Sequence, residues 1–229
     1  MKIIARIRSD YKEKFGIPRQ SGLVQSARAR IVFEEPYRVR EAVRGLEEFS
    51  HIWILWQFSL AVREDWSPTV RPPLLGGNKR VGVFATRSPF RPNPIGLSAV
   101  RLEKIEFTDE GPVLHVIGAD LMDGTPIYDI KPYLPYADAH PEAVGGFTEN
   151  LSERRIPVEI EDERFFALPE ARQTEIREIL SGDPRPSYKG EGEEHGMHYA
   201  DWEVKFTVRG GVLYVTEVAE GKPGATTCR

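Results

Sequence analysis

The residues from Arg71 to Gly96, RPPLLGGNKRVGVFATRSPFRPNPIG, concentrate cations in a stretch that contains no carboxylate. Arg71, Lys79, Arg80, Arg87, Arg91 and Arg101 all fall between Asp65 and Glu103, so nothing nearby in the sequence neutralises them. Such a run fits an anionic ligand better than a core strand. Pro72, Pro73, Pro89, Pro92 and Pro94 fix φ and remove backbone donors, while Gly76, Gly77 and Gly96 permit tight bends. The arginines therefore ride on stiff, shaped loops, as close approach to a phosphate or carboxylate requires.

Two further clusters carry polar chemistry. In LMDGTPIYDIKPYLPYAD, Leu121 to Asp138, the pair Asp123-Gly124 marks a tight turn. Asp129, Lys131, Tyr133 and Tyr136 then alternate with apolar residues, which places several polar groups on one face of an extended strand. In GDPRPSY, Gly182 to Tyr188, a proline-stiffened loop presents Asp183, Arg185 and Tyr188, an acid, a guanidinium and a phenol. Local pairing of Asp183 with Arg185 is the alternative reading. Two other constellations fail. His195 and His198 lie in a glycine-rich acidic setting without a third strong ligand, so no metal site is expected. Ser98 lacks the second glycine of a nucleophile elbow, which removes a serine hydrolase.

The elements that must position these groups read mostly as strands. Ile3 to Ile7, His51 to Leu60, Val81 to Thr86, Leu97 to Phe107, Val113 to Ala119 and Thr125 to Ile130 follow one another, separated by Gly, Pro and Asp turns. That spacing suggests a barrel. One helix is expected at Arg38 to Leu46, where Val39, Val43 and Leu46 share a face. With so few helices between strands, and no G-x-G-x-x-G after a strand, a Rossmann sheet is unfavoured. After Tyr136 the composition turns polar, a linker of roughly 15 residues. A second unit begins near Arg155, with a strand at Ile156 to Ile160, a helix at Pro169 to Ser181 stopped by Gly182, and a hairpin of Trp202 to Val208 with Val212 to Val218. The expected class is mainly β: a barrel over residues 1 to 147, a small α+β unit over 153 to 220, and a tail over 221 to 229.

Composition limits the partners. No run of about 18 apolar residues could span a bilayer, and MKIIARIRSD reads as a strand and not as a secretory signal, so a cytoplasmic protein is expected. The lone Cys228 has no partner for an internal disulfide. A net charge of −4 argues against binding nucleic acid through the overall field. The average conceals a division, however. Residues 1 to 33 are basic, whereas 142 to 203 are dominated by Glu and Asp, so a basic N-terminal surface remains compatible with RNA.

Taken jointly, the clusters and the opening RSDYKEKFGIPRQSGLV (Arg8 to Val24) resemble the TrmO family, also called TsaA-like or YaeB-like, of S-adenosylmethionine-dependent tRNA methyltransferases. The matching segments are Pro18-Arg19-Gln20, AVRGLEEFSHIWIL (Ala42 to Leu55), Trp66 to Ser98, Asp123 to Asp138, and DPRPSY (Asp183 to Tyr188). The resemblance implies a non-Rossmann β-barrel that holds S-adenosylmethionine, a homodimer, and methylation of N6 of threonylcarbamoyladenosine (t6A) at position 37 of threonine tRNA, giving m6t6A. It carries cofactor contacts onto Pro18, Arg19, Gln20, Arg87, Asp123, Gly124, Thr125 and Pro126. Ser59 and Leu60 fall at another cofactor position, where the family has a more polar pair such as His-Gln. Arg71, Arg91, Asn93 and Lys131 are expected to meet the tRNA and its threonyl carboxylate. Asp183, Arg185 and Tyr188 are the catalytic candidates, with Asp183 or Tyr188 as base. Two alternatives stand beside this: a barrel that binds RNA or a nucleotide without chemistry, and a methyltransferase with another acceptor.

Overall fold

In the computed structural model, residues 1–149, 155–186 and 189–221 are described. Tyr188 and Cys228, both singled out above, lie outside them. Six strands close into an antiparallel barrel: β1 (Ala5–Arg8), β2 (Arg28–Phe33), β3 (His51–Gln57), β6 (Ile95–Thr108), β7 (Gly111–Ile117) and β8 (Pro126–Pro132). Their order is β1-β2-β7-β6-β3-β8, and Ala5 opposite Ile127 closes the ring. A small ribbon, β4 (Thr69–Val70) with β5 (Val81–Gly82), projects between β3 and β6.

Alternation explains the barrel. Along β3 the inward residues Ile52, Ile54 and Trp56 are buried, as are Gly96, Ser98, Val100 and Leu102 along β6. Gly96 is needed because the Trp56 ring crosses it: a Cβ there would come within 2.2 Å of the indole Cε2. Ile7, Ile31, Leu114 and Ile127 fill the same interior and are inaccessible to solvent. Burying each such side chain stabilises the fold by about 1.5 to 3 kcal/mol.

After a short helix α1 (Pro135–Asp138), the second layer contains β9 (Val158–Ile160), α2 (Glu170–Ser181), β10 (Glu194–Tyr199), β11 (Trp202–Arg209) and β12 (Val212–Glu220). The sheet order is β10-β11-β12-β9, with β9 parallel to β12. Its core of Phe165, Ile176, Leu180, Phe206 and Val215 also takes in Tyr11, Val24 and Ala27 from the long β1–β2 connection. Tyr11 forms a bridge with Tyr199, and their rings lie 5.3 Å apart. The segment that enters the second core thus also carries Pro18, Arg19 and Gln20.

Three expectations are corrected. Arg38 to Leu46 forms no α-helix but two 3-10 turns, Arg40–Val43 and Leu46–Glu48, because Gly45 between them takes a left-handed φ of 82°. Val39 on the supposed apolar face is exposed, so only Val43, buried, and Leu46, half-buried, draw the segment inward. Val81 to Thr86 gives just two strand residues before a 3-10 turn at Val83–Ala85 that buries Val83. Strands β2 and β10 were not anticipated. In β10 glutamate, glycine and histidine hide an alternation that Met197 and Tyr199 alone reveal.

Candidate active site

The β1–β2 connection gathers residues distant in sequence. Arg19 donates from Nη2 to the carbonyls of Asp183 (3.2 Å) and Arg185 (3.1 Å). Beside it, Arg87 donates to the Gln20 amide oxygen. Arg19, Gln20, Arg87, Asp183 and Arg185 are therefore brought together, although more than 160 residues separate Arg19 from Asp183 and Arg185.

Asp183 sits at a φ of 47°, unusual for a residue with a Cβ, at the end of α2. Its two oxygens accept from Arg185 Nε (2.8 Å) and Nη2 (2.9 Å), the fork geometry that carboxylates match best. Arg185 in turn donates to the Gly190 carbonyl. Burial pushes the Asp183 carboxyl up, but the Arg185 hydrogen bonds and charge outweigh it and hold the group below the usual carboxylate range. The local pairing and the presentation of an acid beside Arg19 hold at once.

Asp120, which sequence reasoning missed, completes this cluster. Ser98, buried inside the barrel, donates to Asp120 at 2.6 Å and accepts from Trp56 Nε1 at 2.9 Å. The amide of Ser21 faces the same carboxylate, and the charge of Arg87 acts on it. Desolvation is nonetheless the largest influence and raises the Asp120 carboxyl above its usual value. The sequence signal was a carboxylate set between residues as apolar as Ala119 and Leu121, where an unpartnered charge is not tolerated.

A raised acid binds its proton more tightly folded than unfolded. Its contribution to stability is full at low pH and is lost as pH rises from the ordinary carboxylate range through the folded value. Asp120→Asn should remove that loss. Thermal melts from pH 4 to 8 should show the variant gaining on the wild type as pH rises, whereas parallel curves would contradict the assignment.

The other expected residues fall into three groups. Asp123 to Pro126 ties β8 to β1: Asp123 accepts from the Ser9 amide (3.1 Å) and Lys12 Nζ (3.1 Å), Gly124 turns with φ 77°, and Thr125 caps back on Met122. Asp120 lies three residues before this turn. Ser59 and Leu60 occupy an exposed 3-10 turn after β3. Arg91 braces its loop, with one terminal nitrogen bonded to Val83 O (3.2 Å) and Thr86 O (2.7 Å). Asn93 is exposed nearby, whereas Lys131 pairs with Asp129 at 2.9 Å.

The cationic stretch keeps its charge. Among the described residues, no ion pair to a carboxylate involves Arg71, Lys79, Arg80, Arg87, Arg91 or Arg101, while in the second layer Arg164, Arg172, Arg185, Lys189, Lys205 and Arg209 all have one. Charge left without a carboxylate along this stretch is the field an anionic ligand would meet. A surface concavity of about 430 Å³, lined by Leu55, Ile95, Tyr128 and Asp129 among others, contains none of these cations. Among the described residues, no cluster of His, Cys, Asp or Glu could hold a metal ion, and no helix is long and apolar enough to cross a membrane.

Comparison with known proteins identifies the family. The model of the tRNA-methyltransferase O N-terminal domain matches residues 6–139, and that of the TrmO C-terminal domain matches 154–221. The chain is 48% identical over 212 residues to the tRNA (adenine(37)-N6)-methyltransferase of Escherichia coli, covering 90% of both proteins. It is 44% identical over 174 residues to the protein of that name from Eikenella corrodens, covering 74% of this chain and 97% of the relative. A crystal structure of TrmO from Pseudomonas aeruginosa superposes with a TM-score of 0.76 at 36% identity, covering 95% of this chain and 96% of that one.

Proposed function

Because the chain belongs to the TrmO family of tRNA methyltransferases, we propose that it transfers a methyl group from S-adenosylmethionine to N6 of t6A at tRNA position 37, giving m6t6A. The observation that carries this reading is the run of unpaired cations beside the cluster of Arg19, Gln20, Arg87, Asp120, Asp183 and Arg185. A tRNA loop brings phosphates, and t6A adds a threonyl carboxylate, so the acceptor matches that charge on two counts.

The donor set fits the cofactor. Arg87, exposed and bonded through one nitrogen to Gln20, has donors left for the methionyl carboxylate. The desolvated carboxylate of Asp120 suits a cationic or hydroxyl-bearing ligand. S-adenosylmethionine, when bound, supplies an electrophilic methyl on a sulfonium. Pro18, Arg19, Gln20 and the Asp123 to Pro126 turn would shape its site, with Ser59 and Leu60 at the margin. Arg71, Arg91, Asn93 and Lys131 would orient the acceptor; Arg91 uses one nitrogen on its loop and has others to offer. Holding the reacting atoms in line can lower the barrier by about 7 to 11 kcal/mol at the well-aligned limit, so placement by these residues is the main catalytic device.

N6 of t6A is attached to a carbonyl, which makes its proton more acidic than that of an ordinary amine. Asp183 stays ionised beside Arg185, and each of its oxygens keeps a second lone pair, so it can accept that proton without leaving the guanidinium. Tyr188 is the other candidate base. In this reading the barrel of residues 1 to 147 holds the cofactor, residues 153 to 220 contribute Asp183 and Arg185, and the enzyme acts as a cytoplasmic homodimer.

The test compares threonine tRNA carrying t6A with the same tRNA lacking the modification, using labelled cofactor and purified protein. One methyl per tRNA should appear on the modified species alone. Equal transfer to both would move the reading to another acceptor, and no transfer to either would leave a binding module.

A further inference from the structure

The ribbon β4–β5 carries cations at its tip and exposed aromatic rings at its base. Trp66 precedes β4 and Phe84 follows β5, and the pairing of Thr69 with Gly82 and Val70 with Val81 brings the two rings within 6.0 Å. Phe84 is 71% exposed and Trp66 49% exposed, although Val83 between β5 and Phe84 is fully buried and anchors the base of the ribbon. The Arg91 guanidinium lies 5.7 Å from the Phe84 centroid. Close by, Arg63 covers Phe90 at 4.1 Å. Large rings left in water beside unpaired guanidinium groups mark a contact surface.

We propose that Trp66 and Phe84 form a stacking ledge for an unpaired base of the RNA acceptor, while Arg71, Lys79 and Arg80 at the ribbon tip follow its phosphates. This rests on the reading that the acceptor is a tRNA loop. Charge selects the partner. No Asp or Glu occurs between Asp65 and Glu103, so this segment offers an RNA cations and no carboxylate of its own, apart from Glu64 and Asp65 at the edge. A second copy of the chain docked symmetrically through the same ledge would set Arg63, Arg71, Lys79, Arg80 and Arg91 against themselves. Aromatic faces with neighbouring arginines accept any base and need no sequence readout, which suits a surface that grips residues flanking the one to be modified.

Anisotropy of a labelled anticodon stem-loop, measured with full-length protein at several salt concentrations, tests the ledge independently of methyl transfer. Phe84→Ala and Trp66→Ala should each weaken binding by about 5- to 150-fold, the range for losing one stacked base. The slope of log K against log salt should stay as in the wild type, because no phosphate contact is lost. Lys79→Ala should instead shallow that slope by about 1, and Phe84→Trp should restore affinity. S-adenosylmethionine affinity by calorimetry should be unchanged in all four variants. Binding of both alanine variants within twofold of wild type would overturn the proposal. So would a fall in particle mass by light scattering, which would make the ledge an interface between copies. A wild type that binds the stem-loop but never methylates it would strike the proposed reaction and leave the ledge standing.

Discussion

Arg87→Ala is expected to lower kcat/KM for S-adenosylmethionine by about 10- to 150-fold, almost entirely through weaker cofactor binding. A hydrogen bond to a charged group contributes about 1.5 to 3 kcal/mol, and each 1.4 kcal/mol is tenfold. Arg87 is exposed and is held by the Gln20 amide and the charge of Asp120, so the melting temperature should hardly move. Arg87→Lys should recover little, since an ammonium cannot present a planar fork to a carboxylate. Calorimetry with the cofactor alone separates the outcomes. Unchanged affinity would show that Arg87 serves only to hold Gln20, and the cofactor site would have to move.

Arg172→Ala should produce the largest loss of stability. One nitrogen of Arg172 bonds Asp10 at 2.6 Å and Glu175 at 2.8 Å, and the Tyr199 hydroxyl donates to the same Glu175 oxygen at 3.2 Å. Glu175 is buried, and burial raises its carboxyl above the usual range even beside the guanidinium. Removing the arginine leaves that charge without compensation, which costs 3 to 5 kcal/mol when the pair is fully buried. Arg172 is 30% exposed, so about 3 kcal/mol is expected, or a fall of roughly 6 to 12 °C at 2 to 4 °C per kcal/mol. Glu175→Gln keeps the hydrogen bonds without the charge and should cost much less. A calorimetric shift below about 1 °C for Arg172→Ala would refute the network.

Local pattern carried the fold as far as local pattern can. HIWILWQ announced β3 because one face is wet and the other dry, and the paired glycines Gly210 and Gly211 announced the final hairpin. Strand β10 escaped because its outward residues outweigh two inward ones. The helix expected at Arg38 to Leu46 failed because a single positive φ at Gly45 outvotes a periodicity of three residues. For the site, the charge of the cationic stretch was legible in full, since it depends on which residues are missing. The meeting of Arg19 with Asp183 and Arg185 was not, because nothing in the spacing of either segment encodes a contact across the chain. Asp120 likewise needed the barrel interior around Ser98 before its desolvation could be seen.

The entry of Tyr11, Val24 and Ala27 into the second core has a consequence for the order of assembly. A ribosome releases the barrel strands first, but the core that Tyr11, Val24 and Ala27 enter is completed only when Phe165, Ile176, Tyr199 and Val218 have emerged. A nascent chain can therefore close its barrel long before Arg19 meets Asp183 and Arg185. A chain stalled before Asp183 would be folded in part yet lack the partners that Arg19 holds.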